Sequence, residues 1–203
     1  QIQANWDEFI GYIDTYISEP RRTLLKEFYE KYAERIMLMP AAHKKEYHNA
    51  FPGGYVEHVN RVIQAALKFE ELWSEFGVAK NYTIEELVFS AINHDLGKLG
   101  TNEEPFYIPN DSSWHVEKQG AYFKINTNMT HMRVADRSLY YLQQANIPVT
   151  ENEFLAIKLH DGLYEEANKP YYITYSSDVE LKCNLPYILH QADLMASRVE
   201  TQI

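Results

Sequence analysis

The sequence predicts an all-α fold, a helical bundle with two long irregular excursions and a helical pair at its N-terminus. Apolar residues recur at helical spacing through most of the chain, as in Val59, Val62 and Ala66. Thr-x-x-Glu capping boxes at 83–86 and 150–153 mark two helix starts. The segments without helical periodicity are rich in Pro, Asn and Tyr, which is typical of loops.

Composition limits the domain organisation. A chain of 203 residues with 45% hydrophobic content suits one domain, or one domain with an appendage. We expect residues 1–40 to form a helical cover and residues 41–203 to form one compact unit. The single cysteine, Cys183, excludes a disulfide framework and a cysteine-rich zinc site.

The charge pattern limits the partners. The formal net charge is -10, and no Lys/Arg block interrupts the acidity, which argues against duplex nucleic acid. A small anionic substrate in a locally positive pocket, or a short single strand, stays open. No apolar run has the length of a membrane span, and no signal peptide is visible, so a reducing, cytoplasmic compartment is the default expectation.

The N-terminal pair comes first. The apolar spacing predicts one helix over 5–17 and a second over 21–37, with Pro20 well placed at the start of the second. Two interpretations stay open, packing cover over the main domain and a contact in a homo-oligomer.

The next two helices contain the first candidate functional residues. A loop over 41–54 ends in a Pro-Gly-Gly turn and leads into a long helix over 55–76. His58 and Arg61 flank the apolar stripe near the start of that helix. The helix that follows the capping box at Thr83 ends in His94-Asp95.

The first excursion covers 99–120 and is long for a compact domain, so we expect it to be functional or a lid. Its Trp114 could line a cleft or simply anchor the loop. After it, His131 lies at or near the start of a helix that runs to about residue 145, in the interpretation that the apolar spacing favours.

The final part of the chain also alternates between predicted helices and an irregular segment. A helix after Thr150 ends at His160-Asp161-Gly162, and a polar, tyrosine-rich excursion follows over 164–178. A short hairpin is one form that this excursion could take. The last helix is predicted over 181–199, with Asp193 on or next to its apolar face.

The pair His94-Asp95 is costly to bury unless something binds it. A divalent metal would do so, because imidazole and carboxylate are both common ligands. A hydrogen-bonded pair that caps the helix end is the alternative. Six candidate ligands lie inward or at helix ends, each on its own predicted helix apart from the adjacent pair. They are His58, His94, Asp95, His131, His160 and Asp193.

Four local motifs follow one another along the chain. They are GGYVEH at 53–58, NHDLGK at 93–98, AIKLHDG at 156–162 and HQADLMAS at 190–197. Their sequences and their order resemble those of the HD-domain superfamily of metal-dependent phosphohydrolases. The resemblance covers roughly residues 41–200. It implies an HD-domain helical bundle.

The resemblance also implies a ligand set. One metal would be held by His58, His94, Asp95 and Asp193. In two-metal members Asp95 would bridge, with His131 and His160 on the second ion. Related proteins often have His-Gly-Glu-Lys-Ser where this chain has 134–138, so Val134 occupies the expected histidine position and His131, one turn earlier, is the substitute. One or two ions of Mn, Fe, Co, Ni, Zn or Mg would fit oxygen and imidazole ligands.

The implied activity is hydrolysis of a phosphate ester of a small nucleotide or related metabolite by metal-activated water. Lys98 would neutralise phosphate charge and Arg61 would clamp the phosphate. Asp161 would orient or deprotonate the water, or else partner a ligand histidine. His48 and Trp114 are further candidates for substrate binding; each could equally be loop structure.

Three alternatives stay open. The stretch 47–58 is similar to the opening motif of HD-type exoribonucleases, which favours a phosphodiesterase or 3'-5' exonuclease on short single strands. Diiron oxygenases with HD folds use a comparable ligand order. A non-catalytic module that keeps a metal for stability is the third.

Overall fold

Ten α-helices form most of residues 1–202, the part of the chain that the computed structural model describes, and they confirm the all-α prediction. Their bounds are α1 Ile2–Tyr16, α2 Arg21–Lys31, α3 Ala33–Leu38, α4 Gly54–Glu75, α5 Ile84–Asn93, α6 Ser113–Gln119, α7 Val134–Gln144, α8 Glu151–Leu159, α9 Lys169–Tyr172 and α10 Leu185–Glu200. Within that range, no helix is both long and apolar enough to cross a membrane.

Helix α4 is the centre of the bundle and packs against α1, α5 and α10. Val59 and Ile63 of α4 and Ile188 and Leu189 of α10 have no exposed surface. Helix α8 in turn packs on α5 and α10. Each Å² of apolar surface that these helices remove from water contributes about 25 cal/mol to the stability of the fold. The packing holds α4, α5, α8 and α10 together in the middle of the bundle.

Both capping boxes form as predicted. The Thr83 hydroxyl accepts from the Glu86 backbone N–H, while the Glu86 carboxylate accepts from the Thr83 N–H. Thr150 and Glu153 repeat this arrangement at α8. The boxes set where the two helices begin. A histidine is the C-cap residue of each helix, His94 for α5 and His160 for α8.

The predicted helix over 21–37 is wrong in one respect, because it divides at Tyr32 into α2 and α3. Tyr32 leaves helical geometry with φ -110° and ψ 12°. The cause lies outside the helix. The Tyr32 hydroxyl bonds the Asn102 side chain at 2.6 Å, and Arg35 donates to the Thr101 carbonyl. The division at residue 40 into cover and main unit stays a prediction.

The first excursion has more structure than a loop. It contains strand β1 (Tyr107–Pro109) and helix α6. Strand β1 pairs antiparallel with β2 (Phe123–Ile125), which lies just after the predicted end of the excursion, with Tyr107 opposite Ile125.

The hairpin considered for 164–178 was wrong, since those residues form 3₁₀ turns and α9 and contain no strand. Pro170 stands in the first turn of α9, where its fixed φ suits a helix start. The Asn168 amide donates to the Gly162 carbonyl and the Tyr172 hydroxyl to the Leu159 carbonyl, which ties the segment to the end of α8.

Candidate metal centre

Five ligand-type side chains from four helices converge in the middle of the bundle. They are His58 of α4, His94 and Asp95 at the end of α5, His160 at the end of α8, and Asp193 of α10. From the His58 Nε2 atom, Asp193 Oδ1 lies at 3.2 Å and Asp95 Oδ2 at 3.8 Å. The Nε2 atoms of His94 and His160 lie 3.6 and 3.7 Å from Asp95 oxygens. Groups of these residues could hold a metal ion.

Two of the imidazoles are oriented by the helix ends on which they lie. The last carbonyls of a helix lack a partner within the helix. His94 uses one, with its Nδ1 at 2.8 Å from the Ala91 oxygen, and His160 does the same with Ile157. A carbonyl only accepts, so Nδ1 carries the proton and, in the neutral ring, Nε2 presents a lone pair to the centre. The Nε2 of His94 is buried without a hydrogen-bond partner, which fits a metal ligand.

His58 is oriented by a carboxylate that the sequence analysis missed. Its Nδ1 lies 3.0 Å from Glu200 Oε2, and the other Glu200 oxygen accepts from Arg61 Nη1 at 2.6 Å. A carboxylate behind a histidine is the usual support of a metal ligand. The available signal was spacing, because Glu200 lies two helical turns after Asp193 on the same side of α10.

The two acidic side chains of the centre are ionised. Burial would raise the pKa of Asp95, but Lys98 and the three histidines outweigh it and lower the pKa below the ordinary value. The pKa of Asp193 is lowered well below its ordinary value for the same kind of reason, with His58 as its main partner. Negative charge in the centre thus favours a cation.

The histidines differ in protonation. Burial lowers the pKa of His94 to about 4, so this ring is neutral. Burial acts the same way on His58, but Asp193 and Glu200 raise its pKa to about 9. In the absence of a metal, the His58 ring is therefore protonated on both nitrogens and positively charged at neutral pH. A metal that binds its Nε2 displaces that proton.

Lys98, Asp161 and His48 lie beside the ligands. The Lys98 Nζ atom donates to Asp95 Oδ2 at 2.5 Å, and Asp161 Oδ1 lies 3.7 Å from the Nε2 of His160. The His48 ring stands 4.6 Å from that of His58, and its buried Nε2 has no partner. All three side chains line cavities that open onto the centre.

Three other predicted residues do not belong to the five converging side chains. Arg61 is absent from the walls of both cavities at the centre, because Glu200 and Glu57 engage its guanidinium. Trp114 is 57% exposed and lines neither cavity. His131 is exposed and precedes α7; it borders one cavity together with Val134, but it belongs to none of the ligand groups.

Two turns at the centre are clamped by residues that the sequence did not single out. His190 donates through Nδ1 to the His160 carbonyl oxygen at 2.7 Å, and its ring fills the space where a Cβ on Gly162 would lie. The Ser138 hydroxyl accepts from the Gly97 N–H at 2.8 Å and donates to the His94 carbonyl. Each clamp holds the backbone at a ligand histidine.

The chemistry of this site is therefore clear from its own atoms: imidazole nitrogens, carboxylate oxygens and one ammonium around a cavity. Such a donor set suits a divalent cation without thiolate ligands. No family model, curated protein or solved structure was found to match this chain.

Proposed function

We propose that this protein is a metal-dependent phosphohydrolase that acts on a phosphate ester of a small molecule such as a nucleotide. The observation that carries the proposal is the convergence of three imidazoles and two carboxylates beside a cavity whose wall includes Asp95, His160, Asp193 and Lys98. The resemblance of four ordered motifs to HD-domain phosphohydrolases supports the same class. A cytoplasmic location and a small phosphorylated partner complete the proposal.

The residues present fit a divalent cation, with His58, His94, Asp95, His160 and Asp193 as its holders. When bound, such an ion supplies a nucleophile from water near neutral pH and charge for the phosphoryl oxygens. The chain's own contribution is to fix the ligands. The carbonyls behind His94 and His160 and the carboxylate behind His58 set the three rings.

Lys98 binds the phosphate in this proposal. Burial would lower the pKa of its ammonium, but Asp95 raises it above the ordinary value, so the group stays charged. Its Nζ atom is tied to Asp95 Oδ2, beside the ligands. A phosphoryl group at the centre would meet this charge without a change of rotamer, which is the condition for electrostatic catalysis.

Asp161 is the candidate proton acceptor. Its side chain is 52% exposed and stands beside the Nε2 of His160, where it can take a proton from a water molecule and release it to solvent. Arg61 acts on the centre indirectly, through Glu200. Its guanidinium holds Glu200, and Glu200 holds His58.

The experiment is a screen of phosphate esters with each of Mn²⁺, Fe²⁺, Co²⁺, Ni²⁺, Zn²⁺ and Mg²⁺, read by release of inorganic phosphate and of nitrophenol. We expect metal-dependent turnover that is lost in Asp95→Asn. The matched control is Asp111→Asn, whose side chain is 82% exposed beside β2, and it should behave as wild type. Equal turnover by wild type and Asp95→Asn across the panel would contradict the proposal.

A further inference from the structure

A cavity of about 390 Å³ lies away from the metal centre, between the end of α2, the segment 100–103 and helix α7. Its volume is near the lower end of the roughly 300–1,000 Å³ that is usual for small-molecule sites. Among the residues that the structure describes, it shares one lining residue, Met132, with one of the two cavities at the centre and none with the other. It is therefore a separate space with its own wall.

The wall of this cavity includes a buried arginine that has no carboxylate partner. Arg137 is 5% exposed, and its guanidinium donates to two backbone carbonyls, those of Gly100 and Thr130. Within residues 1–202 it makes no ion pair, and its buried Nε atom has no hydrogen-bond partner. Buried arginines are normally paired, because an isolated buried charge is costly. An anion in the cavity would place a negative charge beside this guanidinium.

The other charges of the wall also favour an anion. Lys31 is exposed at the end of α2, with its Nζ atom 4.9 Å from the centroid of the Tyr32 ring, and it too makes no ion pair with a residue in the described part of the chain. One carboxylate lines the cavity, that of Glu103, and it is exposed to water, which screens its charge. Two cations and one carboxylate leave this wall net positive, in a chain of net charge -10.

Aromatic rings form much of the remaining wall. Phe28, Tyr32 and Tyr141 pack together, with ring centroids 5.1, 5.7 and 6.2 Å apart. Tyr140 adds a ring that is 47% exposed. Aromatic side chains of this kind pack well against a planar ring, in stacked or edge-on contact.

Hydrogen bonds hold this wall in place before any ligand binds. The Gly100 carbonyl accepts from Arg137 Nη1 at 3.2 Å and from the Tyr141 hydroxyl at 3.0 Å. On the opposite side, the Tyr32 hydroxyl donates to Asn102 Oδ1 at 2.6 Å. A preformed wall lowers the ordering cost of binding.

We propose that this cavity is a second ligand site, which binds a small organic anion that carries a planar ring. The anionic group lies toward Arg137 and Lys31, and the ring lies against the tyrosines. A neutral ring would leave the Arg137 charge unpaired, and a bare inorganic anion would leave the aromatic wall in water. The site contains none of the five metal-holding side chains, so the inference does not depend on the proposed function.

The primary test is isothermal titration of the full chain with three planar anions, namely benzoate, indole-3-acetate and adenosine monophosphate. EDTA is present so that no bound metal attracts the anions, and circular dichroism checks the fold. The comparison compounds are tryptophol, which has a planar ring without a charge, and inorganic phosphate, which has a charge without a ring. We expect at least one planar anion to bind about tenfold or more tightly than both, because only it makes the charged and the ring contacts together.

Two variants locate the bound anion in this cavity. Gln144→Trp fills it from α7, and its matched control is Gln143→Trp, the next residue, which is equally exposed and lines a different groove. Lys31→Glu reverses a charge of the wall, and its control is Lys68→Glu on the exposed side of α4. We expect each cavity variant to weaken binding by about tenfold or more, while the controls keep wild-type affinity.

The outcomes separate clearly. Failure of all three planar anions to bind, or equally tight binding of tryptophol or phosphate, would overturn the inference and leave the proposed function intact. A planar anion that binds folded Gln144→Trp or Lys31→Glu as tightly as wild type would also overturn it. If either cavity variant fails to fold, Tyr140→Ala removes an exposed ring from the same wall and replaces it, with the same weakening expected.

Discussion

At the scale of single residues, the centre depends on atoms that carry no ligand role themselves. His94 and His160 are aimed by backbone carbonyls one turn earlier, so their orientation follows from where α5 and α8 end. His58 lies inside a helix, where carbonyls are occupied, and it needs Glu200 instead. The same task is thus solved in two ways, according to the position of each histidine in its helix.

Glu200→Gln is predicted to lower metal affinity by about 10–100-fold, the usual effect of losing a support behind a ligand histidine. The amide keeps the shape of the side chain but removes the charge that fixes His58. Isothermal titration with Mn²⁺ measures the change. Glu166→Gln, whose side chain is 92% exposed, is the control. Unchanged affinity in Glu200→Gln would show that Glu200 does not support the centre.

The residue scale also shows the reach of sequence reasoning. His58, His94, Asp95, His160 and Asp193 could be named because each lies in a local motif. The support of His58 was harder to name, because its contact joins residues far apart in the chain. Glu200 lies 142 residues from His58, and the only local signal for it is its position two helical turns after Asp193.

At the scale of elements, Arg21 joins three helices. From the start of α2, its guanidinium reaches Glu85 of α5 at 2.6 Å and Glu153 of α8 at 2.7 Å. The Glu153 side chain has no exposed surface, and burial raises its pKa despite the hydrogen bonds to Thr150 and Arg21. The positive charge of Arg21 therefore offsets part of the cost of burying the Glu153 carboxylate.

Arg21→Ala is predicted to cost about 3–5 kcal/mol of unfolding free energy, since it leaves Glu153 buried without its cation. Urea unfolding followed by circular dichroism measures it. The control is Arg22→Ala, in which an exposed pair with Glu19 is lost, at a cost of about 1 kcal/mol or less. Similar losses in both variants would contradict the role given to Arg21.

Gly97 fixes the contact between the turn after Asp95 and helix α7. A Cβ at this position would lie 2.1 Å from the Val134 carbonyl oxygen, which is backbone and cannot move aside cheaply. Gly97→Ala should cost about 1–3 kcal/mol by overpacking and should weaken metal binding, because Asp95 is two residues away. Thermal unfolding and metal titration measure the two effects.

The control for that change is Gly11→Ala in α1, where an added Cβ meets nothing within 4 Å. There the substitution should stabilise the helix by about 0.5–1 kcal/mol. Wild-type stability and metal affinity in Gly97→Ala would rule out the close contact with α7.

Elements differ in how well the sequence predicts them. The starts of α5 and α8 were predictable because a capping box is a local bond pattern. The break at Tyr32 was not, since it depends on Asn102 and Thr101 of a distant segment. The structure of the second excursion was missed because it depends on side-chain contacts that no local pattern shows, those of Asn168 and Tyr172 with the end of α8.

At the scale of the whole molecule, the centre joins helices that are far apart in sequence. Its ligands come from α4, α5, α8 and α10, and their carboxylates and rings are held within a few ångströms of one another. A bound metal would stabilise the folded state alone, because the unfolded chain does not hold these groups together.

Metal at about 100 times its dissociation constant should therefore add about 2.7 kcal/mol to the unfolding free energy. Differential scanning calorimetry with and without EDTA measures the rise in Tm. Asp95→Asn should show a much smaller rise. An equal rise in both proteins would mean that the metal acts elsewhere.

The most direct test of the central claim is elemental analysis of the purified wild-type protein beside Asp95→Asn. With a centre built from five ligand side chains, wild-type protein should retain on the order of one divalent ion per chain or more through gel filtration. Asp95→Asn should lose most of that metal while it keeps its helical circular dichroism. A wild-type protein that retains no divalent ion, after exposure to all six candidate metals, would contradict the account.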